Sequence, residues 1–383
     1  MTNPSALESR VLLSCLATNR TAQQILSDIT DPQLSWEKLF HVASQLGVGP
    51  LLYVRLGELG LRDKVPVDAA RRIKEECFSS QARNMKVYAE LKTVLAALTR
   101  EGLSVVVLKG AALAELVYRH IGLRTMADVD LLVEKKNLDK AGAIIERLGF
   151  LPNEGYRDKQ WYREHHHHMV PYVSSDSSMT VEIHWHIIER TALMDLPIDQ
   201  LWARVQSVRI ASVPCLALSV EHMLLHMVLH LSSPNRFLGQ LRGLYDVAEL
   251  LRHFGHEVNW AELFRVVTLA DAHKYLYVVL CLARDALGAP VPVEVLRQLR
   301  REFSLLPLEE RLVKHIGLHA AFIVDVEESS LYEWMLLDLL KNLLSCRTRR
   351  EACRDVVSKI VLRARTGLAN KWGHRVKWLA IRF

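Results

Sequence analysis

MADVDLLV at residues 126–133 and TVEIHWHI at residues 180–187 decide how this chain is read. Both are short, rich in β-branched and apolar residues, and alternate in the manner of strands. Residues two apart in a strand share a face, roughly 7 Å apart along the chain. Asp128 and Asp130 therefore project together, while Val129, Leu131 and Val133 turn the other way into a core. In the second stretch Glu182, His184 and His186 share one face, and Ile183 and Trp185 the other. An acid in the middle of an apolar strand needs a partner, because burying a lone charge is costly. A divalent cation shared by Asp128, Asp130 and Glu182 is such a partner; Mg²⁺ takes hard oxygen ligands, often one or two carboxylates plus substrate phosphates. A DxD by itself is more often a solvated strand edge, so its neighbours carry the weight.

Upstream, SVVVLKG (104–110) reads as a buried strand that hands over to the helical pattern GAALAELVYRH (110–120). A helix N-terminus offers free backbone N–H groups and a partial positive charge to phosphate. Gly110 stands at that junction, and Lys109 adds a compact point charge beside it. Downstream of the aspartates, a helix is expected over about 138–148, ended by Gly149. HHHHMVPYV (165–173) and MTVEIHWHI (179–187) flank an SSDSS turn and read as a β-hairpin.

Away from this centre the pattern is helical. ALESRVLLSCL (6–16) and WEKLFHVASQLG (36–47) repeat apolar residues at helical spacing, and one long helix is expected from about Val67 to Arg100. These helices read as packing elements without chemistry. From about Ser219 onward the helical pattern returns. The expected fold is α+β: a core of strands and helices over 100–215, an N-terminal helical region over 1–99, and a C-terminal helical domain over 216–383 that ends in a basic tail.

Length and composition agree with this. A chain of 383 residues, half hydrophobic and a quarter charged, is globular and long enough for two or three domains. No uninterrupted apolar run reaches the ~18 residues of a membrane span, and the first twenty residues lack a basic leader segment, so a cytoplasmic location is expected. Six cysteines are scattered without a CxxC pair, which reads as free, mostly buried thiols. The net charge of +6 is concentrated: residues 341–383 hold twelve Lys/Arg against Glu351 and Asp355.

The run LKGAALAELVYRHIGLRTMADVDLLV, followed by HHHHMVPYV and VEIHWHI, closely resembles a bacterial family of largely uncharacterised nucleotidyltransferases within the DNA polymerase β-like superfamily. The resemblance is specific between Val105 and Ile187, and HVASQLGVGPLLY (41–53) looks like that family's helical lead-in. It implies a nucleotidyltransferase-type mixed sheet and a metal-bound nucleoside triphosphate. It also implies transfer of a nucleoside monophosphate with pyrophosphate leaving. Asp128, Asp130 and Glu182 would then hold Mg²⁺ (or Mn²⁺), and Lys109 and Gly110 would cradle phosphate. The wider superfamily carries Gly-Ser or Gly-Gly at this turn. Here Ala111 follows Gly110, and the spacing to Asp128 is longer, so Lys109 or Arg124 is expected to supply the missing phosphate contact. His184, on the Glu182 face, is grouped with these nucleotide-binding residues.

Other features keep several readings open. His165–His168 reads as support beside the carboxylates, as a phosphate or acceptor contact, or as a separate transition-metal site. His222, His226 and His230 lie on one helical stripe and read as packing. Trp161 and Trp185 are candidates to stack a base, with core packing the expected role of Trp185. The tail reads as a solvated helical face, an RNA contact or an anionic-lipid contact. The leading expectation is an enzyme with an unknown acceptor, whether small molecule, peptide or protein, or RNA. Its rivals are a non-catalytic nucleotide- or RNA-binding scaffold, motivated by the missing serine, and a toxin-like tRNA-modifying transferase, motivated by the tail.

Overall fold

The computed structural model describes residues 6–153, 159–188, 196–232, 240–303 and 307–322. The basic tail, with the RNA, lipid and tRNA readings that rest on it, lies outside the described residues. So do Cys346 and Cys353.

Helices open the chain: Ala6–Leu16, Ala22–Ile29, Trp36–Gln45, Gly49–Glu58 and the 34-residue Val67–Arg100. Their starts follow local chemistry. Thr21 and Gln24 form a reciprocal capping box, and the Ser35 hydroxyl accepts from the Lys38 N–H. The long helix ends where expected, at Arg100.

Seven strands then form one mixed sheet among the described residues: β1 Val106–Val107, β2 Val129–Leu132, β3 Leu151–Pro152, β4 Tyr172–Val173, β5 Thr180–His184, β6 Gln206–Ile210 and β7 Val213–Ala217. Their spatial order is β3-β4-β5-β2-β1-β7-β6. β2 runs parallel to β5 and β1 parallel to β7; the remaining neighbours are antiparallel. The expected hairpin is present as β4–β5, with Tyr172 opposite Val181. Its leading histidines divide: His165 closes the helix Lys159–His165, while His168 bridges to His184.

β6 and β7 form a hairpin that the sequence pattern did not announce. Its turn is Ala211-Ser212, both left-handed at φ 50° and 63°. Such turns usually carry Asn-Gly or Asp-Gly, so the usual signal is missing.

Alternation along the strands divides the apolar residues between two cores. Val107, Val129, Leu131, Val133, Val181 and Ile183 pack with Leu91, Leu95 and Leu98 of the long helix and with Ile144 and Ile145 of the helix Leu138–Arg147. The opposite face sends Val106, Leu108 and Leu132 into a second core, shared by the early helices and by Val220–Ser232, Leu241–Phe254 and His273–Leu287. Segments far apart in sequence therefore meet in one core. Gly288 shows how closely they meet: it caps its helix in the left-handed conformation at φ 71°, and a Cβ there would lie 2.8 Å from the Asn19 backbone nitrogen. His222 and His226 are buried within the second core. No described helix is long and apolar enough to cross a membrane. Cys15, Cys77, Cys215 and Cys281 are free thiols.

Candidate active site

The pairing of β2 with β5 sets Asp130 directly opposite Glu182, and Leu132 opposite His184. All of these lie on the face away from the Val129/Leu131 core. Parallel pairing in this register brings the two acids together from positions 52 residues apart in the chain. Ligand atoms of Asp130, Glu182 and His184 all lie within 4.8 Å of one another.

The polar contacts are dense. Asp130 is 2% exposed. Its Oδ1 accepts from Lys109 Nζ at 2.8 Å and contacts His184 Nε2 at 2.8 Å. The same His184 nitrogen is 3.4 Å from Glu182 Oε2. His168 Nδ1–H donates to the Met169 carbonyl at 2.7 Å, which turns its Nε2 toward Glu182 Oε2, 3.9 Å away. Asp128 precedes β2 and reaches solvent; it stands outside the three-residue group, although the charges of both other acids act on it.

Electrostatics distinguish the three acids. Burial by itself would raise the Asp130 carboxyl, but the Lys109 charge and the His184 hydrogen bond hold it well below the usual carboxylate range. Burial also opposes the Glu182 charge, yet the His184 hydrogen bond and the His168 ring bring this acid below its ordinary value. Asp128 moves the other way: the protein around it raises its pKa, and repulsion from Asp130 and Glu182 raises it further. His184 is disfavoured as a cation by burial, but its hydrogen bonds to Asp130 and Glu182 outweigh that and raise it. Burial lowers His168 from 6.5 to about 4, against the opposing pull of Glu182. His167 is lowered further still, by burial and then by the neighbouring His184.

Lys109 occupies the first residue of the helix Lys109–Leu116 with a left-handed φ of 41°. For a non-glycine residue that costs roughly 1–2 kcal/mol. The strain is held by flanking contacts, the Leu108 N–H to the Asp130 carbonyl at 3.0 Å and the ammonium to the Asp130 carboxylate. Gly110 is buried against the next loop: a Cβ there would meet Arg124 Nη1 and Met126 Cγ, both at 3.1 Å.

Arg124 is committed elsewhere. Its Nε and Nη2 donate to both carboxylate oxygens of Asp246 at 2.8–3.1 Å, and Nη1 donates to the Thr125 carbonyl at 2.7 Å. The Tyr118 hydroxyl also donates to Asp246, at 2.7 Å. Arg242 donates to Thr125 Oγ1 at 3.0 Å, and that hydroxyl donates to the Gly47 carbonyl at 3.1 Å. From the long helix, Asn84 Nδ2 donates to the Ile121 carbonyl and, at 2.8 Å, to the Arg124 carbonyl, while Ser80 donates to Gly122 O at 2.9 Å. The loop that delivers Asp128 is thus clamped from three sides. Asn84, Arg242 and Asp246 were not singled out in the sequence; the one available signal was a polar residue on an otherwise apolar helical stripe.

The donor set fits a divalent cation. Two carboxylates and an imidazole converge, and a third carboxylate is destabilised beside them.

A family model described as an uncharacterised nucleotidyltransferase matches residues 32–288, more than half of the chain. No curated protein matches. Among solved structures, the chain is similar to the solution structure of the antibiotic-resistance factor ANT(2'')-Ia, at 14% identity and a TM-score of 0.33, over 51% of this chain and 96% of that one. A likeness of that size carries no argument here; the family match does. The chain belongs to the family of uncharacterised nucleotidyltransferases, and it is a transferase of that kind.

Proposed function

We propose that the chain transfers a nucleoside monophosphate from a nucleoside triphosphate to an acceptor, at the carboxylates of β2 and β5. The observation that carries this is the in-register pair Asp130 and Glu182 with His184 beside it. Asp130, Glu182 and His184 would hold the divalent ion, Mg²⁺ or Mn²⁺, with Asp128 at the mouth of the group. When bound, that ion supplies charge neutralisation for the triphosphate.

The chain's own groups do the rest by positioning, since phosphoryl transfer needs little covalent help from protein. Lys109, now on Asp130, would turn toward a phosphate lying over the helix start, where free backbone N–H groups are offered. Glu182 is hydrogen-bonded by His184 and orients the acceptor nucleophile. A bond forms between the acceptor oxygen and the α-phosphorus, the bond to pyrophosphate breaks, and the acceptor's hydroxyl proton is released to water. Arg124, pinned by Asp246, holds the Asp128 loop in place. The test is Asp130→Asn with each of the four labelled nucleoside triphosphates, total RNA and cell extract. Labelled product from wild type and none from a variant with unchanged circular dichroism is expected; undiminished labelling by the variant rejects the assignment.

A second reading is favoured by one observation: Lys109 and His184 already neutralise Asp130. A scaffold that binds nucleotide without turnover would keep such a closed arrangement. Calorimetry with a non-hydrolysable triphosphate, with and without Mn²⁺, combined with the labelling experiment separates the two, since the scaffold binds and never labels.

A further inference from the structure

Beyond the carboxylates, the ends of β2 and β5 open into a cavity of about 550 Å³. That is within the size range of small-molecule sites. It lies at the carboxyl ends of two adjacent parallel strands, lined by Glu134–Lys136 after β2 and by Trp185 and His186 after β5. Crevices of this kind are where α/β sheets take ligands.

Three features of its wall are specific. Trp185 and Trp202 both line it and both remain partly exposed, so Trp185 serves as a wall as well as packing against the core. His167 also lines it; it is 8% exposed, and its Nδ1 has no hydrogen-bond partner. The rim is balanced in charge: Lys135, Lys136 and Arg163 face Glu134, Glu164 and Asp199. Lys136 is paired with Glu134, and Arg163 with Asp139, while Lys135 and Asp199 make no ion pair among the described residues.

That balance decides what the cavity takes. A triphosphate, with several negative charges, gains nothing from a rim of equal and opposite charges, and it has Lys109 and the helix start elsewhere. A molecule of low net charge suits it, with a flat ring face for the indoles and a hydroxyl for Lys135 or Asp199 at the rim. The cavity also adjoins the acids. The His167 ring is 5.2 Å from that of His184. The His166 ring, also in the wall, is 4.2 Å from that of His168, whose Nε2 faces Glu182. One imidazole layer separates the two compartments.

We infer that this cavity is the acceptor site, and that it takes a ring-bearing alcohol of low net charge, a glycoside or a nucleoside. The inference rests on the transferase reading only for the word acceptor; the binding itself is independent of it. The experiment therefore uses the full chain without metal or triphosphate. Saturation-transfer difference NMR is recorded with methyl glycosides in one arm and nucleosides in the other. Signal from either arm is expected, with the Kd from a ligand titration at least about tenfold weaker in Trp202→Ala, which corresponds to roughly 1.4 kcal/mol. Ile198→Trp, which puts an indole into the cavity, is expected to abolish it with circular dichroism and thermal melt unchanged, and Trp161→Phe to leave it unchanged. No signal from either class overturns the inference, as does binding that survives Ile198→Trp. Binding of Mn²⁺ and a non-hydrolysable triphosphate is measured separately. Loss of that binding alone would sink the transferase reading and leave the cavity's ligand class standing.

Discussion

Two charge clusters meet at the turn before β2, and they are built on opposite plans. On one side, Arg124 and Asp246 pair two nitrogens to two oxygens, the Tyr118 hydroxyl completes Asp246, and both side chains are nearly removed from solvent. On the other side, three carboxylates share one ammonium and one imidazole, whose charged form the two acids it bonds favour against burial. The first cluster is closed, and breaking it leaves a buried charge. The second has negative charge in surplus, and one of its acids is pushed up in pKa, first by desolvation and then by its neighbours' repulsion. A satisfied pair holds structure; a crowded, under-neutralised one is poised to take a cation.

Variants on each side test this contrast. Asp246→Ala leaves the Arg124 guanidinium buried and unpaired, so an unfolding free-energy loss of about 3–5 kcal/mol is expected in denaturant titrations. A loss below ~1 kcal/mol would mean that the clamp is not the closed pair described. Glu182→Gln should have the reverse profile: stability changed by no more than ~1 kcal/mol, and nucleotidyl transfer lowered by at least about 10²-fold. It should also lower the Asp128 pKa, since one source of repulsion is gone; carboxyl-carbon NMR reads this directly, and an unmoved Asp128 would show that the acids do not interact.

The pH dependence separates the clusters again. His168 is lowered from 6.5 to about 4, so the unfolded chain takes up its proton first. Its contribution is fully present above 6.5 and is lost as pH falls through the window toward 4. His168→Asn should flatten that limb of the stability curve, while Asp246→Ala should lower the curve and leave the His168 limb in place. The smallest effect is expected for Gly110→Ala. Its added methyl meets Arg124 and Met126 at 3.1 Å, and a shift of a few tenths of an ångström should cost about 1 kcal/mol or less in a thermal melt.

Much of the site was legible because strand periodicity is local. Alternation in DVDLLV placed Asp130 away from the Val129/Leu131 core, and the same rule placed Glu182 and His184 together. The long helix was legible for the same reason, with few breakers between Val67 and Arg100. The β6–β7 hairpin was not, because Ala211-Ser212 adopts left-handed geometry without the residues that advertise it. Nor was the clamp. Asn84 reaches the Arg124 carbonyl across 40 residues, and Asp246 reaches the Arg124 guanidinium across 122. No periodicity in one segment encodes the partner in another.

The sequence alone therefore determined which side chains face which way within each strand and helix, because φ/ψ sterics set those periods residue by residue. Tertiary structure decided the rest: that β2 lies beside β5 in a register setting Asp130 against Glu182, that His184 joins the group while Asp128 stays at its mouth, and that Arg124 turns inward to Asp246. Those outcomes depend on how whole faces pack, and packing is settled between segments rather than within them.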